Sequence, residues 1–495
     1  MAETHCREVV PVPQSHRLAK ARSARDNRGP GSNPFDDSLQ KTSAIQQAFE
    51  RLVRDRGGEP ALWSRGEGLR LSFADLAARV EAWRAPLAAL PPSPVALATG
   101  NCAAFLTLFL ALRARGVPVV AMDGALPLAA RLVLCRRFGI GALLHREAGS
   151  GNPLGDGVHL TTLPDVEPVT APAGTALVKL TSGSTGDPLG VCLSEEALLA
   201  GIAHIVEGMA IRPRDRVLIA IPLSHSYGFD NGVLSLAVHG TPLVLEGSFY
   251  PTPLLAALAE GEIDFFPTVP PLVRGLAETD WPVGLPLRTV ICAGAPLPPE
   301  TARRFHARSG RHVHQFYGST ETGGISYEDA PGEPGADGAV GRPLPGVDVR
   351  FAEGGIVEVV SAANFGGHLG RDRELTRRIA TPGDTGEIDA TGRLRLTGRS
   401  ADICNVGGRK IAAVALEAAL RGATGVEELA VVGVDDPVRG DRIVAFLVAR
   451  GREVDLSTLP SGLQPREVRL VDGLPYTERG KLDRQALREL ARSRA

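Results

Sequence analysis

The chain contains 495 residues, of which 43% are hydrophobic and 22% are charged, and its formal net charge is −2. At roughly 100–200 residues per domain, this length indicates two or more domains. The small net charge excludes a global field that would recruit nucleic acid or acidic membranes, so neither is expected as a partner. The six cysteines form no CxxC pair. This argues against a disulfide framework or zinc cluster and favours a reducing, cytoplasmic location.

The predicted elements begin after a polar segment. Residues 1–38 are rich in Pro, Gly, Ser, Arg and Asn, and we interpret them as a disordered leader. Residues 94–99 then favour a strand, 101–116 a helix closed by glycine, and 117–123 a second strand. This βαβ unit predicts a parallel sheet with helices on its faces. Similar strand-like runs recur at 215–223, 240–247 and 288–294.

A segment rich in hydroxyl groups and glycine separates two apolar runs within residues 177–194. It consists of Thr181, Ser182, Gly183, Ser184, Thr185 and Gly186. Glycines let backbone N–H groups converge without Cβ clashes, and the hydroxyls add rotatable donors, so the segment is suited to binding a polyphosphate. It lacks the lysine of a GxxxxGK[ST] phosphate loop. A flexible surface loop remains the alternative from this segment alone.

The sequence pattern changes toward the C-terminus. Residues 345–398 contain short alternating segments separated by Gly and Asp, which are typical of hairpins in a small β-rich subdomain. After Arg399, a helix-like segment is followed by two strand-like segments, which predicts a compact α+β unit of roughly 100 residues. We therefore place an N-terminal domain at 39–398 and a C-terminal domain at 399–495.

Seven segments resemble, in order, the signature motifs of the adenylate-forming (acyl-CoA synthetase, AMP-binding) superfamily. That family includes acyl- and aryl-CoA ligases, luciferases and the adenylation domains of nonribosomal peptide synthetases. Single short motifs match by chance, but seven in the family's order across residues 40–490 do not. The segments are TSGSTGDPLGV (181–191), IPLSHSYGFDNG (221–232), CAGAPLPPE (292–300), QFYGSTETGG (315–324), GDTGEID (383–389), GRSADICNVGGRKI (398–411) and PYTERGKLDR (475–484).

The resemblance implies an α/β fold. A large N-terminal domain of parallel-rich sheets with flanking helices and a small β-rich subdomain would precede a mobile, small α+β C-terminal domain. It also implies an AMP-forming acid–thiol ligase that joins a small-molecule carboxylic acid to ATP, with Mg²⁺, and releases pyrophosphate. The resulting acyl-AMP would react with a thiol, and coenzyme A is the preferred acceptor.

The resemblance further implies the nucleotide contacts. Thr320 would reach the α-phosphate, and Glu321 would hold Mg²⁺, a hard ion that is often bound through one carboxylate and substrate phosphates. Each such residue also suits a structural role, for example a turn aspartate. The other implied contacts are Thr181 to Gly186 around the phosphates, Gly294, Ala295 and Pro296 at the adenine-side turn, Tyr317 and Gly318 at adenine, Asp384 on the ribose, and Arg399 on the ribose or phosphate side.

Lys481 is the principal catalytic residue implied by the resemblance. In the family, the matching lysine swings in on the small domain and bridges carboxylate and α-phosphate oxygens, where a flexible ammonium suits developing charge. Thr320 and His225 complete the catalytic set. His225 would stand between the acyl pocket and the thiol tunnel, or be a packed core histidine. Gly407 and Gly408 would line the tunnel, since they let backbone approach a thin ligand.

Two positions depart from the family pattern. Leu189 stands where a lysine is usual, which removes one positive charge near the phosphate loop and bears on pyrophosphate handling. Ala401 aligns with a hinge position that usually carries Asp or Lys, and Asp402 is adjacent. Because a hinge needs only a few residues that absorb the backbone change, domain rotation is still expected.

The sequence motifs are less specific about the residues that contact the acyl group of the substrate. The resemblance places His225, Tyr227, Asp230, Gly323 and Gly324 beside the acyl group. Asp230 would either recognise a hydroxyl or amine on the acid or cap the following helix. The two glycines are expected to leave room for a ring or chain. The sequence therefore leaves aryl, fatty and amino acids open as substrates.

Two other functions compete with the acid–CoA ligase. One is a stand-alone ligase of the same fold that loads the phosphopantetheine of a separate acyl or peptidyl carrier protein. The other is a catalytically weakened adenylate-binding protein. Leu189 and Ala401 favour the weakened protein, whereas the intact Glu321 and Lys481 oppose it.

Overall fold

The computed structural model describes residues 43–182, 188–329, 338–370, 378–399, 403–406, 409–420, 426–436, 440–449, 465, 467–476 and 482–493. At residues 182, 378–382, 399, 403–406, 409–412, 414–415, 418–419, 435–436 and 440–441 the description is of the backbone. The predicted leader lies outside the described residues.

The strands, in chain order, are β1 (Pro60–Ser64), β2 (Leu69–Ser72), β3 (Val95–Ala98), β4 (Val119–Ala121), β5 (Ala142–His145), β6 (Asn152–Gly155), β7 (Val158–Thr162), β8 (Thr175–Ser182), β9 (Pro188–Ser194), β10 (Val217–Ile219), β11 (Leu243–Leu245), β12 (Phe265–Thr268), β13 (Thr289–Cys292), β14 (Val313–Ser319), β15 (Gly323–Tyr327), β16 (Arg342–Pro343), β17 (Asp348–Phe351), β18 (Ile356–Val360), β19 (Gly367–His368), β20 (Arg378–Ile388), β21 (Leu394–Arg399), β22 (Ile403–Val406), β23 (Arg409–Ala412), β24 (Val426–Asp436), β25 (Gly440–Ala449) and β26 (Glu467–Leu470).

The helices are α1 (Ala44–Arg56), α2 (Phe73–Ala82), α3 (Ala103–Ala114), α4 (Leu128–Arg137), α5 (Glu195–Gly208), α6 (Ser226–Gly228), α7 (Pro251–Gly261), α8 (Pro270–Ala277), α9 (Pro299–Ser309), α10 (Ala413–Leu420) and α11 (Arg484–Arg492). A π-helix, Phe229–His239, continues directly from α6, and short 3₁₀ turns lie at Arg65–Glu67 and Glu353–Gly355.

The first sheet has eight strands in the order β19-β9-β8-β4-β3-β5-β7-β6. Its central strands β8, β4, β3 and β5 run parallel. Helix α3, between β3 and β4, is buried on all its faces, which explains why its sequence is apolar throughout rather than along one stripe. The predicted βαβ unit is therefore confirmed.

The second sheet has nine strands in the order β16-β15-β14-β13-β12-β10-β11-β1-β2. The six strands from β14 to β1 are parallel. The runs predicted at 215–223, 240–247 and 288–294 supply β10, β11 and β13. Open α/β sheets bind ligands beyond the carboxyl ends of their strands, and three of the signature segments lie at or just beyond the ends of β10, β13 and β14.

One hydrophobic core fills the space between these two sheets. It contains Leu97 and Leu177 of the first sheet and Leu243 and Ile291 of the second. Helix α3 and the π-helix meet inside it, where Phe109 packs edge-on against the Phe229 ring at 5.0 Å. The two sheets therefore hold their strand ends in a fixed relation to each other.

The predicted β-rich subdomain is a four-stranded antiparallel sheet, β17-β18-β20-β21. Farther along the chain, β24 and β25 form a long antiparallel pair, and β22, β23 and β26 extend the same sheet. Helix α10 packs on one face through Leu416, and α11 packs on the other through Leu487. The α+β composition predicted for the C-terminal part is confirmed. Within the described part of the chain, no helix has the length and apolar character needed to cross a bilayer.

Candidate active site

Two residues that the sequence assigned to nucleotide binding meet in space. The Tyr317 hydroxyl, at the end of β14, donates to Asp384 Oδ2 on β20 at 2.7 Å. Asp384 is buried, and its backbone pairs in register with that of Arg399 on β21. The positions expected for adenine, ribose and the ribose side thus lie within one small region.

A second contact joins the motif of the α-phosphate candidate to the motif of the acyl-side histidine. The Ser226 hydroxyl donates to Thr320 Oγ1 at 3.2 Å. Ser226 directly follows His225, so these two segments, separated by more than ninety residues in the chain, meet at one point. We did not single out Ser226 from the sequence, although its position beside His225 was the available signal.

The hydroxyl- and glycine-rich segment begins at the end of β8, which pairs antiparallel with β9. Thr181 pairs with Leu189, and Ser182 pairs with Pro188. Residues 183–187 lie outside the described residues, so the predicted phosphate contacts of Gly183 to Gly186 remain predictions. Thr181 also lines a cavity of about 100 Å³ together with His225, which places the base of the phosphate loop beside the acyl-side histidine.

Asp123 faces this histidine, and sequence analysis missed it. Asp123 lies just beyond β4, and its Oδ2 is 3.6 Å from His225 Nε2. Its Oδ1 accepts a hydrogen bond from the Ala125 N–H at 2.9 Å. The only sequence signal was an aspartate just beyond a buried parallel strand, and pairing it with His225 requires knowing which strand ends adjoin.

Asp230 is paired with Lys179. Lys179 Nζ donates to Asp230 Oδ1 at 2.9 Å, and both side chains are buried. The ammonium also lies 5.2 Å from the centre of the Phe229 ring. Asp230 stands inside the helix rather than at its N-cap, which His225 occupies for α6. The helix-cap interpretation is therefore wrong, because the carboxylate points to a cation on β8.

Tyr227 forms part of the wall behind His225. Its hydroxyl donates to the Ile291 carbonyl at 3.3 Å, and its ring lies 5.7 Å from that of Phe316. Burial raises the pKa of Tyr227 well above its usual value, so the phenol stays neutral. It can serve as a wall or a hydrogen-bond donor but not as a base.

Gly324 serves close packing rather than open space. A Cβ there would lie 2.9 Å from the Phe316 ring and 2.9 Å from Leu344. The expectation that Gly323 and Gly324 leave room for substrate is therefore wrong for Gly324. Gly318 has a similar role, because a Cβ there would lie 2.5 Å from the Gly323 carbonyl oxygen. Gly323 adopts a left-handed φ of 70°, which favours glycine.

The remaining site residues are described in part. The Glu321 backbone carbonyl accepts the Phe365 N–H at 2.8 Å, which anchors the turn that carries its carboxylate. Gly294, which precedes Ala295 and Pro296, has a left-handed φ of 88° and open space where a Cβ would stand. Burial raises the pKa of Cys292, close to this turn, to about 12, so it is not a thiolate nucleophile. Lys481, Gly407, Gly408 and Ala401 lie outside the described residues.

Comparison with known proteins decides the family. Residues 49–359 match the family described as AMP-binding enzyme, and residues 415–481 match the AMP-binding enzyme C-terminal domain. The chain belongs to this family of adenylate-forming enzymes. It is an AMP-forming acid–thiol ligase, as the resemblance predicted.

Named relatives agree with this membership. The chain is 31% identical to sulfoacetate–CoA ligase of Cupriavidus necator over 386 residues, covering 69% of this chain and 74% of the relative. It is 30% identical to feruloyl-CoA synthase of an Amycolatopsis species over 349 residues, 64% of this chain and 71% of that one. The acids in these names differ widely, so family membership alone does not select the acid.

Solved structures share the fold. ATP-bound MatB from Rhodopseudomonas palustris superposes with a TM-score of 0.77 at 24% identity, covering 91% of this chain and 99% of that chain. The amide bond synthetase McbA from Marinactinospora thermotolerans superposes with a TM-score of 0.76 at 26% identity, covering 90% and 99%. The predicted α/β fold with a large N-terminal and a smaller C-terminal domain is confirmed.

Proposed function

We propose that the protein activates a carboxylic acid with ATP to an enzyme-bound acyl-AMP and then transfers the acyl group to coenzyme A. The observation that carries the first step is the contact between Tyr317 and Asp384. In this proposal Tyr317, near the end of β14, would stack on adenine, and Asp384 beside it would accept hydrogen bonds from the ribose. Family membership supports the second step, because several relatives are named as CoA ligases.

Adenylation needs positioning and charge neutralisation more than covalent help from the protein. A carboxylate must attack the negatively charged α-phosphate, and pyrophosphate must leave. Thr320, held against Ser226 at 3.2 Å, would donate to an α-phosphate oxygen. The two ribose hydroxyls would replace the Tyr317 hydroxyl as donors to Asp384. One carboxylate can bind both hydroxyls, because it accepts several hydrogen bonds.

The residues present fit a bound ATP–Mg²⁺ complex. The Glu321 turn is fixed through its backbone contact with Phe365, and its carboxylate would be the protein ligand of Mg²⁺. Phosphate oxygens would supply the other ligands. When bound, the metal would neutralise charge on the phosphates. Thr181 at the end of β8 would donate to the phosphates from the opposite side.

Lys481 is proposed as the mobile cation of the first step. It would bridge the attacking carboxylate and the α-phosphate, and so stabilise the charge that develops between them. Leu189 lies in register with Thr181 on the neighbouring strand, so the phosphate loop lacks the usual lysine on this strand. The backbone N–H groups of the loop would donate to the phosphates but carry no net charge. Lys481 would therefore supply more of the charge neutralisation.

The test is carboxylate-dependent exchange of labelled pyrophosphate into ATP over a panel of aryl, fatty and amino acids. Lys481→Ala is expected to abolish the exchange, and Gln485→Ala, an exposed substitution on α11, is the matched control. Exchange with one class of acid identifies the substrate class. A folded protein that binds ATP but exchanges with no acid would support the weakened adenylate-binding protein.

The acceptor is tested with the acid that gives the strongest exchange. Thioester formation with free coenzyme A supports the proposal. Acyl-AMP that persists with coenzyme A but disappears with a phosphopantetheinylated carrier protein would support the carrier-loading alternative instead.

A further inference from the structure

The His225–Asp123 pair joins the edges of the two large sheets. Asp123 leaves the first sheet just beyond β4, which runs parallel to β8 with Ala121 opposite Lys179. His225 leaves the second sheet beyond β10 and begins helix α6. Both side chains are partly buried, and His225 Nε2 lies 3.6 Å from Asp123 Oδ2.

The aspartate is oriented before any ligand arrives. Its Oδ1 accepts the Ala125 N–H at 2.9 Å, so the Oδ2 atom is the one turned toward the imidazole. A histidine that directs its Nε2–H to a carboxylate keeps a lone pair on Nδ1. Nδ1 is therefore the ring atom that can accept a proton.

The Asp123–His225 pair lines a cavity rather than lying in a closed core. The cavity has a volume of about 100 Å³, and its lining combines the apolar Met122 and Leu180 with Thr181, Asp123 and His225. Thr181 belongs to the phosphate-loop hairpin. Ser226, the residue after His225, contacts Thr320. The imidazole thus lies near Thr181 and Thr320, the residues assigned to the phosphates of ATP and to the α-phosphate that acyl-AMP keeps.

Other charged groups near this cavity are accounted for. Among the described residues that line it, Asp123 and His225 carry the ionisable side chains. Lys179 on β8 is paired with Asp230. Asp187, in the phosphate-loop hairpin, falls outside the described residues.

We infer that Asp123 is a positioning residue that makes His225 the general base of the transfer step. This inference rests on the proposed function. The His225 Nδ1 atom accepts the thiol proton as sulfur bonds to the acyl carbonyl carbon. The bond from that carbon to the phosphate oxygen then breaks, AMP leaves with the electron pair, and the imidazolium held by Asp123 later returns its proton to solvent.

The test separates the two half-reactions in Asp123→Asn. Acyl-AMP is formed on the enzyme from the best panel acid, and thioester formation with coenzyme A is followed from pH 6 to 9. General-base catalysis is worth roughly 10²–10⁴-fold, so we expect transfer at pH 7 to slow by about ten- to a hundredfold. The loss should shrink toward pH 9, because a thiol with a pKa near 8.5 ionises by itself there. Pyrophosphate exchange should fall by less than about threefold.

Three controls make the result specific. Hydroxylamine, a nucleophile that is unprotonated at neutral pH, should trap acyl-AMP at nearly the same rate in Asp123→Asn and in the unaltered enzyme. Asp165→Asn, which alters an exposed carboxylate paired with Arg136, should change neither half-reaction. His225→Ala combined with Asp123→Asn should be no slower in transfer than His225→Ala alone, since the aspartate acts through the histidine.

Some outcomes would overturn the inference. Equal losses in exchange and transfer at every pH would show that Asp123 only supports the structure. Full transfer activity in Asp123→Asn would leave His225 as a steric gate. Failure of the proposed function is a separate result, because the unaltered protein would then show no pyrophosphate exchange with any acid.

Discussion

The two ends of the molecule are built differently. The large domain has its largest hydrophobic core between two sheets and further clusters on their other faces, and it buries an ion pair, Lys179–Asp230. The C-terminal sheet is covered by two smaller clusters, one on each face. Deep packing suits residues that must keep fixed positions around a nucleotide, whereas a small separate core can move as a unit.

One described contact between the two domains is polar. Glu428 on β24 accepts from Arg274 of α8 at 2.6 Å and from the Tyr476 hydroxyl at 2.9 Å. Arg274 also lies 5.9 Å from the centre of the Tyr476 ring. Partly exposed charge pairs of this kind contribute little net stability. The Arg274–Glu428 pair is therefore expected to add little to the stability of the contact between the two domains.

The largest effect on stability is expected from Asp230→Ala. It would leave the Lys179 ammonium buried without its carboxylate, and removing one partner of a buried pair costs about 3–5 kcal/mol. Denaturant unfolding should show this loss in the transition of the large domain. Glu81→Ala on α2, at the exposed pair with Arg84, should cost less than about 1 kcal/mol. A loss equally small for Asp230→Ala would contradict the burial of the pair.

Glu417→Ala should have an intermediate effect that is confined to the small domain. The buried Glu417 Oε1 accepts from the Val431 N–H at 2.9 Å and from Arg484 at 2.8 Å. Hydrogen bonds to charged groups are worth about 1.5–3 kcal/mol. Hydrogen exchange should show lost protection in β24 and α11 with protection retained in β3 and β13. Glu489→Ala on the exposed face of α11 is the control, and equal deprotection of both domains would argue against separate cores.

Arg274→Ala should have the smallest effect on stability. It removes a partly exposed ion pair with Glu428, so the free energy of unfolding should change by less than about 1 kcal/mol. The domain contact itself should loosen, and exchange of backbone amides in 426–436 should become faster. Arg304→Ala, at an exposed pair with Glu278 within the large domain, should leave those amides unaffected. Unchanged exchange in Arg274→Ala would show that this cluster does not hold the domains together.

The local sequence pattern was sufficient to predict these helices and strands and to locate the motifs along the chain. The β8 and β9 hairpin, helix α3 and strands β10, β11 and β13 follow from apolar runs and glycine signals, because these are set by neighbours in the chain. Tyr317 and Asp384 were assigned to one nucleotide by family resemblance, and their contact at 2.7 Å is consistent with that assignment. The sequence pattern was less informative about glycine. Gly324 was expected to leave empty space, but Phe316 and Leu344 occupy the space beside it.

By itself, the sequence determined the family, the α/β class and the set of residues assigned to ATP, since these depend on motifs that are contiguous in the chain. Only the tertiary structure decided which side chains face each other across the strand ends. Lys179 meets Asp230, and Asp123 meets His225, because β8 and the end of β4 in the first sheet face the segment that follows β10 of the second sheet. A carboxylate's partner depends on strand order and on which face it lies, and neither is written in the residues around it.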